Sequence, residues 1–168
     1  MEKRNKKDII WGKGKVYLLE RLVYIYEEIK GLGFENFDCM ELCCGNGIIV
    51  DALSALFPEA RFEATDIKKH TEWEHLRIEP ELISFQSIMK RNRNYDIVIM
   101  LDTYRNWMKY TKTRDKFDKW IAKHTKYFIT SISDDNKTLL FDYKVIGRDN
   151  RNKSLVIYDT NVPVNANS

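Results

Sequence analysis

The chain has 168 residues, 43% hydrophobic and 32% charged, a globular rather than a disordered composition. At this length one domain is expected, over residues 1–168, with roughly two-thirds of the unfolded surface buried on folding. The longest apolar run, Ile97 to Leu101, is far short of a bilayer span, and a net charge of +3 is below that of a dedicated nucleic-acid binder.

Residues 1–14 read as a basic arm without the apolar core of a secretory signal. Leu18, Leu22, Ile25 and Ile29 recur at helical spacing, and Gly31 and Gly33 end that helix. Asp38 to Cys43 reads as a buried strand. Gly45-Asn46-Gly47 turns the chain into a second helix, with Ile49, Val50, Leu53 and Leu56 on its apolar face and Pro58 beyond it. Arg61 to Asp66 is a short strand, Thr71 to Leu76 a brief helix, and Leu82 to Gln86 another strand.

Tyr95 to Leu101 is apolar almost throughout, as suits a central strand buried on both faces. Phe117, Trp120, Ile121 and His124 mark a helix, and Tyr127 to Ile132 the next strand. Phe141, Tyr143 and Val145 alternate with Asp142 and Lys144, which predicts one wet face. After the polar turn Asp149 to Asn152, Leu155, Ile157 and Asp159 complete a hairpin, and residues 161–168 read as a loose tail. The whole pattern is α/β: a mostly parallel twisted sheet with helices on both faces and a C-terminal antiparallel hairpin. About five residues separate the strands before and after Asp134-Asp135, too few for a parallel crossover. The last crossover helix is therefore expected to be missing, with the final strands as an antiparallel meander or otherwise rearranged.

Charge is unevenly spread. Residues 1–16 carry six basic side chains against two acidic, and residues 104–126 eight against two, so an anionic partner stands beside the plainer reading of solvated faces. Cys39, Cys43 and Cys44 fall in one short stretch, with no His at metal-ligand spacing. They read as thiols in a reducing compartment, hence a cytoplasmic protein with no metal.

The chemistry is carried by Glu41-Leu42-Cys43-Cys44-Gly45-Asn46-Gly47, a strand running into glycines that open a helix. Glycines there permit a tight turn and close backbone approach to a ligand. Asp66 lies nineteen residues beyond Gly47, where this type of fold holds ribose hydroxyls. Val50 replaces the last glycine of a dinucleotide fingerprint, which disfavours a pyrophosphate, and no phosphate-binding P-loop spacing occurs.

These residues, with Ala64-Thr65-Asp66-Ile67 and Tyr95-Asp96-Ile97-Val98-Ile99-Met100-Leu101-Asp102, resemble the class I S-adenosylmethionine-dependent methyltransferases in order and spacing over about residues 15–133. The resemblance implies a Rossmann-like fold with S-adenosylmethionine as cofactor. It places Glu41, Gly45 and Gly47 under the methionine part, Asp66 on the ribose, Ile67 on the adenine, and Gln86 or Ser87 by the adenine amine; Cys43 and Asp102 are counted with the cofactor-binding residues. It puts Asp102, at the end of the central strand, facing the transferred methyl. Asp102 and Tyr104 are the candidate catalytic residues, with Asp102 a base where the acceptor is a hydroxyl or a protonated amine. Trp11, Lys13, Lys15, Tyr104 and Trp107 are candidate lid or substrate residues, the first three being similar to a Trp/Gly/Lys segment of some adenine methyltransferases. Cys43 stands at the family's usual first glycine, and Ser87 where an acid is often found. Asp102-Thr-Tyr-Arg-Asn-Trp107 is not the motif of amino-directed nucleic-acid methyltransferases.

The expected activity is methyl transfer to a small molecule or a nucleic acid, without a membrane. A non-catalytic cofactor- or partner-binding module and an S-adenosylmethionine-degrading enzyme remain the alternatives.

Overall fold

The computed structural model describes residues 16–104, 111–132 and 141–163. Its elements are α1 (Val16–Gly31), β1 (Asp38–Leu42), α2 (Ile48–Leu56), β2 (Arg61–Asp66), a 3₁₀ turn (Thr71–His75), β3 (Glu81–Leu82), α3 (Phe85–Ile88), β4 (Tyr95–Met100), α4 (Thr111–His124), β5 (Thr125–Ile132), β6 (Phe141–Arg148) and β7 (Ser154–Pro163). No helix among the described residues is long and apolar enough to cross a membrane.

The seven strands form one sheet in the order β3-β2-β1-β4-β5-β7-β6. The first five are parallel to one another, and β7 runs antiparallel to both of its neighbours. Strand β4 is central because five of its six residues are buried. Each sheet face has its own apolar layer. On one, α1 and α2 lay Leu22, Ile25, Ile29 and Leu53 against Ile97, Ile99 and Ile157. On the other, α3 and α4 lay Phe85, Phe117 and Trp120 against Val98, Met100 and Phe128.

The parallel sheet and terminal hairpin are as the sequence predicts, with three corrections. Of the two arrangements expected for the final strands, the meander is absent and they are rearranged: β7 inserts between β5 and β6 because Leu155 to Tyr158 is apolar on both faces and suits an interior position. Strand β6 takes the sheet edge instead. Its Tyr143 and Val145 are 43% and 55% exposed, so it lacks the single wet face expected. The strand predicted over Leu82 to Gln86 shrinks to Glu81–Leu82, because Ser84 caps a helical turn by accepting the Ser87 N–H. Residues 161–163, expected in the tail, belong to β7, and the rest of that tail lies outside the described residues. The expected loss of the crossover helix concerns residues 133–140, and the arm concerns residues 1–14; both lie outside the described residues.

Helix α1 is fixed against the hairpin by a close approach at Gly147, where a Cβ would sit 2.4 Å from the Tyr24 ring. Gly147→Ala is therefore expected to destabilise the protein by about 1–3 kcal/mol in urea unfolding, as overpacking does. An unchanged midpoint would contradict this packing.

Candidate functional site

The carboxyl ends of β1, β2 and β4 converge on a cavity of about 350 Å³. Its floor is the turn from β1 into α2, where Cys43, Gly45 and Gly47 all have left-handed backbone, at φ 56°, 57° and 74°. Glycine suits position 47 because of its positive φ; a Cβ there would also push aside the end of the Leu76 side chain, 2.4 Å away. Cys43 adopts the conformation a glycine would take, a strain of about 1–3 kcal/mol, so the turn keeps its path despite the extra side chain.

Three contacts pin the turn. Asp66 Oδ2 accepts the Gly45 N–H at 2.8 Å while its Oδ1 accepts the Lys68 N–H at 3.0 Å. Trp73 Nε1 donates to the Gly45 carbonyl at 2.8 Å, and the Cys44 N–H to the Thr65 carbonyl at 2.9 Å. Each Asp66 oxygen has thus accepted one hydrogen bond and keeps capacity for another donor.

Glu41, at the end of β1, is buried and accepts the Val50 N–H at 3.1 Å through Oε2. Burial pushes its carboxyl up to about 8, with the nearby Asp66 charge adding to the rise. Burial and the same carboxylate push the Cys43 thiol up to about 12, which argues against a thiolate nucleophile at neutral pH.

The far wall of the cavity is ionic. Arg21, 1% exposed, donates from Nη1 and Nη2 to the two Asp102 oxygens at 2.9 and 3.0 Å and from Nε to Asp149 at 2.8 Å. Arg151 and Lys153 also reach Asp102, at 3.0 and 2.5 Å, and the Arg151 guanidinium lies 3.6 Å from the Tyr17 ring centre. Burial alone would raise the Asp102 pKa, but hydrogen bonds from Arg21 and Lys153 outweigh it and hold the carboxyl far below the usual range. A carboxylate so held is a poor proton acceptor.

Of the residues expected at the site, Glu41, Cys43, Gly45, Asp66 and Asp102 line this cavity together. Gly47 lies just behind it as the N-cap of α2. Ile67 is beside Asp66 but 71% exposed and outside the lining. Gln86 and Ser87 lie on α3 and do not line it either, because the turn at Ser84 replaces the strand that would have aimed them there. Tyr104 is core rather than lid: it packs on Phe117 and Phe128, and its hydroxyl donates to buried Asp118 at 2.8 Å. Trp11, Lys13, Lys15 and Trp107 lie outside the described residues.

Sequence reasoning missed Arg21, Asp149, Arg151, Lys153 and Trp73. Arg21 had a readable signal, since it falls on the apolar stripe of Leu18, Leu22 and Ile25, where a charge needs a partner. A second cavity, about 760 Å³, is lined by Trp73, Leu76, Pro80 and Leu82 among others.

No protein-family model matches the chain, and no curated protein matches it. Solved structures do match. The bifunctional kinase-methyltransferase WbdD superposes with a TM-score of 0.63 at 13% identity over 84% of this chain and 39% of that one. This chain thus spans about two-fifths of the WbdD length. Magnesium protoporphyrin IX methyltransferase (ChlM) from Synechocystis PCC 6803 superposes at 0.58 with S-adenosylmethionine bound, at 15% identity over 95% and 86% of the two chains. Its S-adenosylhomocysteine complex gives 0.60 at 16% identity over 95% and 88%. The chain has the Rossmann-like fold of these methyltransferases.

The carboxyls set opposite pH dependences. Asp102 and Asp149 are both held low in the fold. Their contribution is full above the unfolded value of about 3.9 and is lost as pH falls through the folded values. Glu41 is raised, so the unfolded chain gives up its proton first and stability declines as pH rises from about 4.5 to 8. Unfolding free energies should fall by up to roughly 1.4 kcal/mol per pH unit across that window, and Glu41→Gln should flatten the slope. The same slope in both proteins would remove the assignment.

Proposed function

We propose that this chain is a methyltransferase that uses S-adenosylmethionine. The observation that carries the reading is the Asp66 carboxylate fixed across the glycine turn at the lip of the 350 Å³ cavity. The fold shared with the methyltransferases WbdD and ChlM supports it.

The donor set fits this cofactor. Asp66 has acceptor capacity for ribose hydroxyls, and hydrogen bonds to a charged group are worth about 1.5–3 kcal/mol. Glu41 is a buried carboxyl lining the cavity, and among the described residues no basic side chain is paired with it, which suits a cationic amino acid group. Exposed Ile67, next to Asp66, offers an apolar shelf for a base. When bound, S-adenosylmethionine supplies a methyl on a sulfonium, which passes to the acceptor and leaves S-adenosylhomocysteine. The chain's task is to hold the acceptor in line, and positioning can supply about 7–11 kcal/mol of the barrier.

Asp102 serves this reading as an anchor instead of the base first expected. It ties the end of β4 to α1 and to the β6–β7 turn, and so shapes the acceptor side of the cavity. Tyr104, buried on Asp118, takes no part.

Incubation with S-adenosylmethionine and mass analysis of the small molecules tests the reaction class. S-adenosylhomocysteine formed only with an acceptor supports transfer. Methylthioadenosine without an acceptor would mean breakdown, and binding without turnover a non-catalytic module.

Asp66→Ala should weaken cofactor binding by one to two orders of magnitude in calorimetry. Unchanged affinity would remove the ribose assignment. Because a bound cation favours the Glu41 carboxylate, binding at pH 7 should release protons, read from the dependence of the heat on buffer ionisation enthalpy. Glu41→Gln should lower that release, and equal release in both proteins would contradict the placement.

A further inference from the structure

Helix α4 carries Lys112, Lys116, Lys119 and Lys123, all exposed, at steps of four, three and four residues. With 3.6 residues per turn they fall within about 60° of arc and make one stripe about 16 Å long. Phe117, Trp120 and Ile121 of the same helix are buried in the core.

Helix stability explains only the last of the four: Lys123, in the final turn, suits the helix dipole, whereas the first turn has no acid and Lys112 there opposes it. Like charges three and four residues apart also weaken a helix. The two acids of α4 are engaged elsewhere: Asp115 with Arg114 at 3.2 Å, and Asp118 with the Tyr104 hydroxyl at 2.8 Å. Lys126, Lys144 and Lys153 each pair with a carboxylate. Among the described residues, the four stripe lysines form no ion pair.

We propose that this stripe binds the phosphodiester backbone of a nucleic-acid duplex. Lysines are point charges suited to phosphates, and contacts to the phosphate backbone carry no sequence information, so the binding is sequence-independent. The stripe itself has no aromatic side chain for stacking, which favours a duplex over a single strand. Its length spans about five phosphates at the axial rise of one strand, so four lysines nearly neutralise what they cover. Helix α4 leads from the carboxyl end of β4 back to the amino end of β5, so Lys112 marks the cleft end of the stripe. No residue of α4 lines the cofactor cavity, and the binding requires no cofactor.

The test is fluorescence anisotropy of the full chain with labelled 20-base-pair DNA and RNA duplexes and the matching single strands, without S-adenosylmethionine. Duplex affinity should fall about 150-fold between 50 and 200 mM salt, from a log–log slope of about −3.6 for four phosphate contacts. Replacing all four stripe lysines by Gln should abolish binding and leave the circular dichroism spectrum intact. A control with Lys30, Arg61, Lys90 and Lys144 changed to Gln alters net charge equally and should retain duplex binding. Either duplex binding in this way supports the proposal. No binding to either at 50 mM salt, preference for single strands, or equal loss in the control would overturn it.

Discussion

The backbone of the β1–α2 turn, left-handed at three of five successive positions, is the constraint on which the site depends. Such a path bends the chain sharply away from β1 and starts α2 at once. It brings the Gly45 N–H to the Asp66 carboxylate and the Val50 N–H to the Glu41 carboxylate, so two acids from neighbouring parallel strands hold one loop. Without that bend the carboxyl ends of β1 and β2 would frame no cavity. The strain at Cys43 persists because the contacts of Cys44, Gly45 and Trp73 determine the turn from both sides.

Arg21 closes the opposite wall. One buried guanidinium ties α1 to the end of β4 and to the β6–β7 turn, elements far apart in sequence. A buried ion pair is weak evidence for net stability, since desolvation offsets most of the attraction. Its value here is geometric. It fixes Asp102, itself in a left-handed conformation at φ 62°, at the mouth of the cavity. The same cations that fix Asp102 remove its basicity, so one cluster determines both the shape of this wall and the low proton affinity of its carboxylate.

Much of this was legible from residue order. The spacing from Gly47 to Asp66 located the strand-end acid because a turn, a helix and a returning strand use a nearly fixed length of chain. The apolar run of β4 placed it at the centre of the sheet. The position of β7 was readable in principle: Leu155 to Tyr158 is continuously apolar and suits an interior strand, whereas Phe141 to Val145 alternates and suits an edge. What a single sequence could not supply was which distant charges meet. Asp149 and Lys153 look like ordinary turn residues until the hairpin brings them to Arg21 and Asp102. Ser84 likewise changed the reading of its segment through a local cap that a strand-like run of Ile83 and Phe85 conceals.

The most direct measurement is a crystal structure of the protein grown with S-adenosylhomocysteine. Density is expected across the glycine turn, with ribose oxygens at hydrogen-bond distance from Asp66 and the amino acid end beside Glu41. Density confined to the larger cavity beside Trp73 and Leu82, with the turn bare, would contradict that placement.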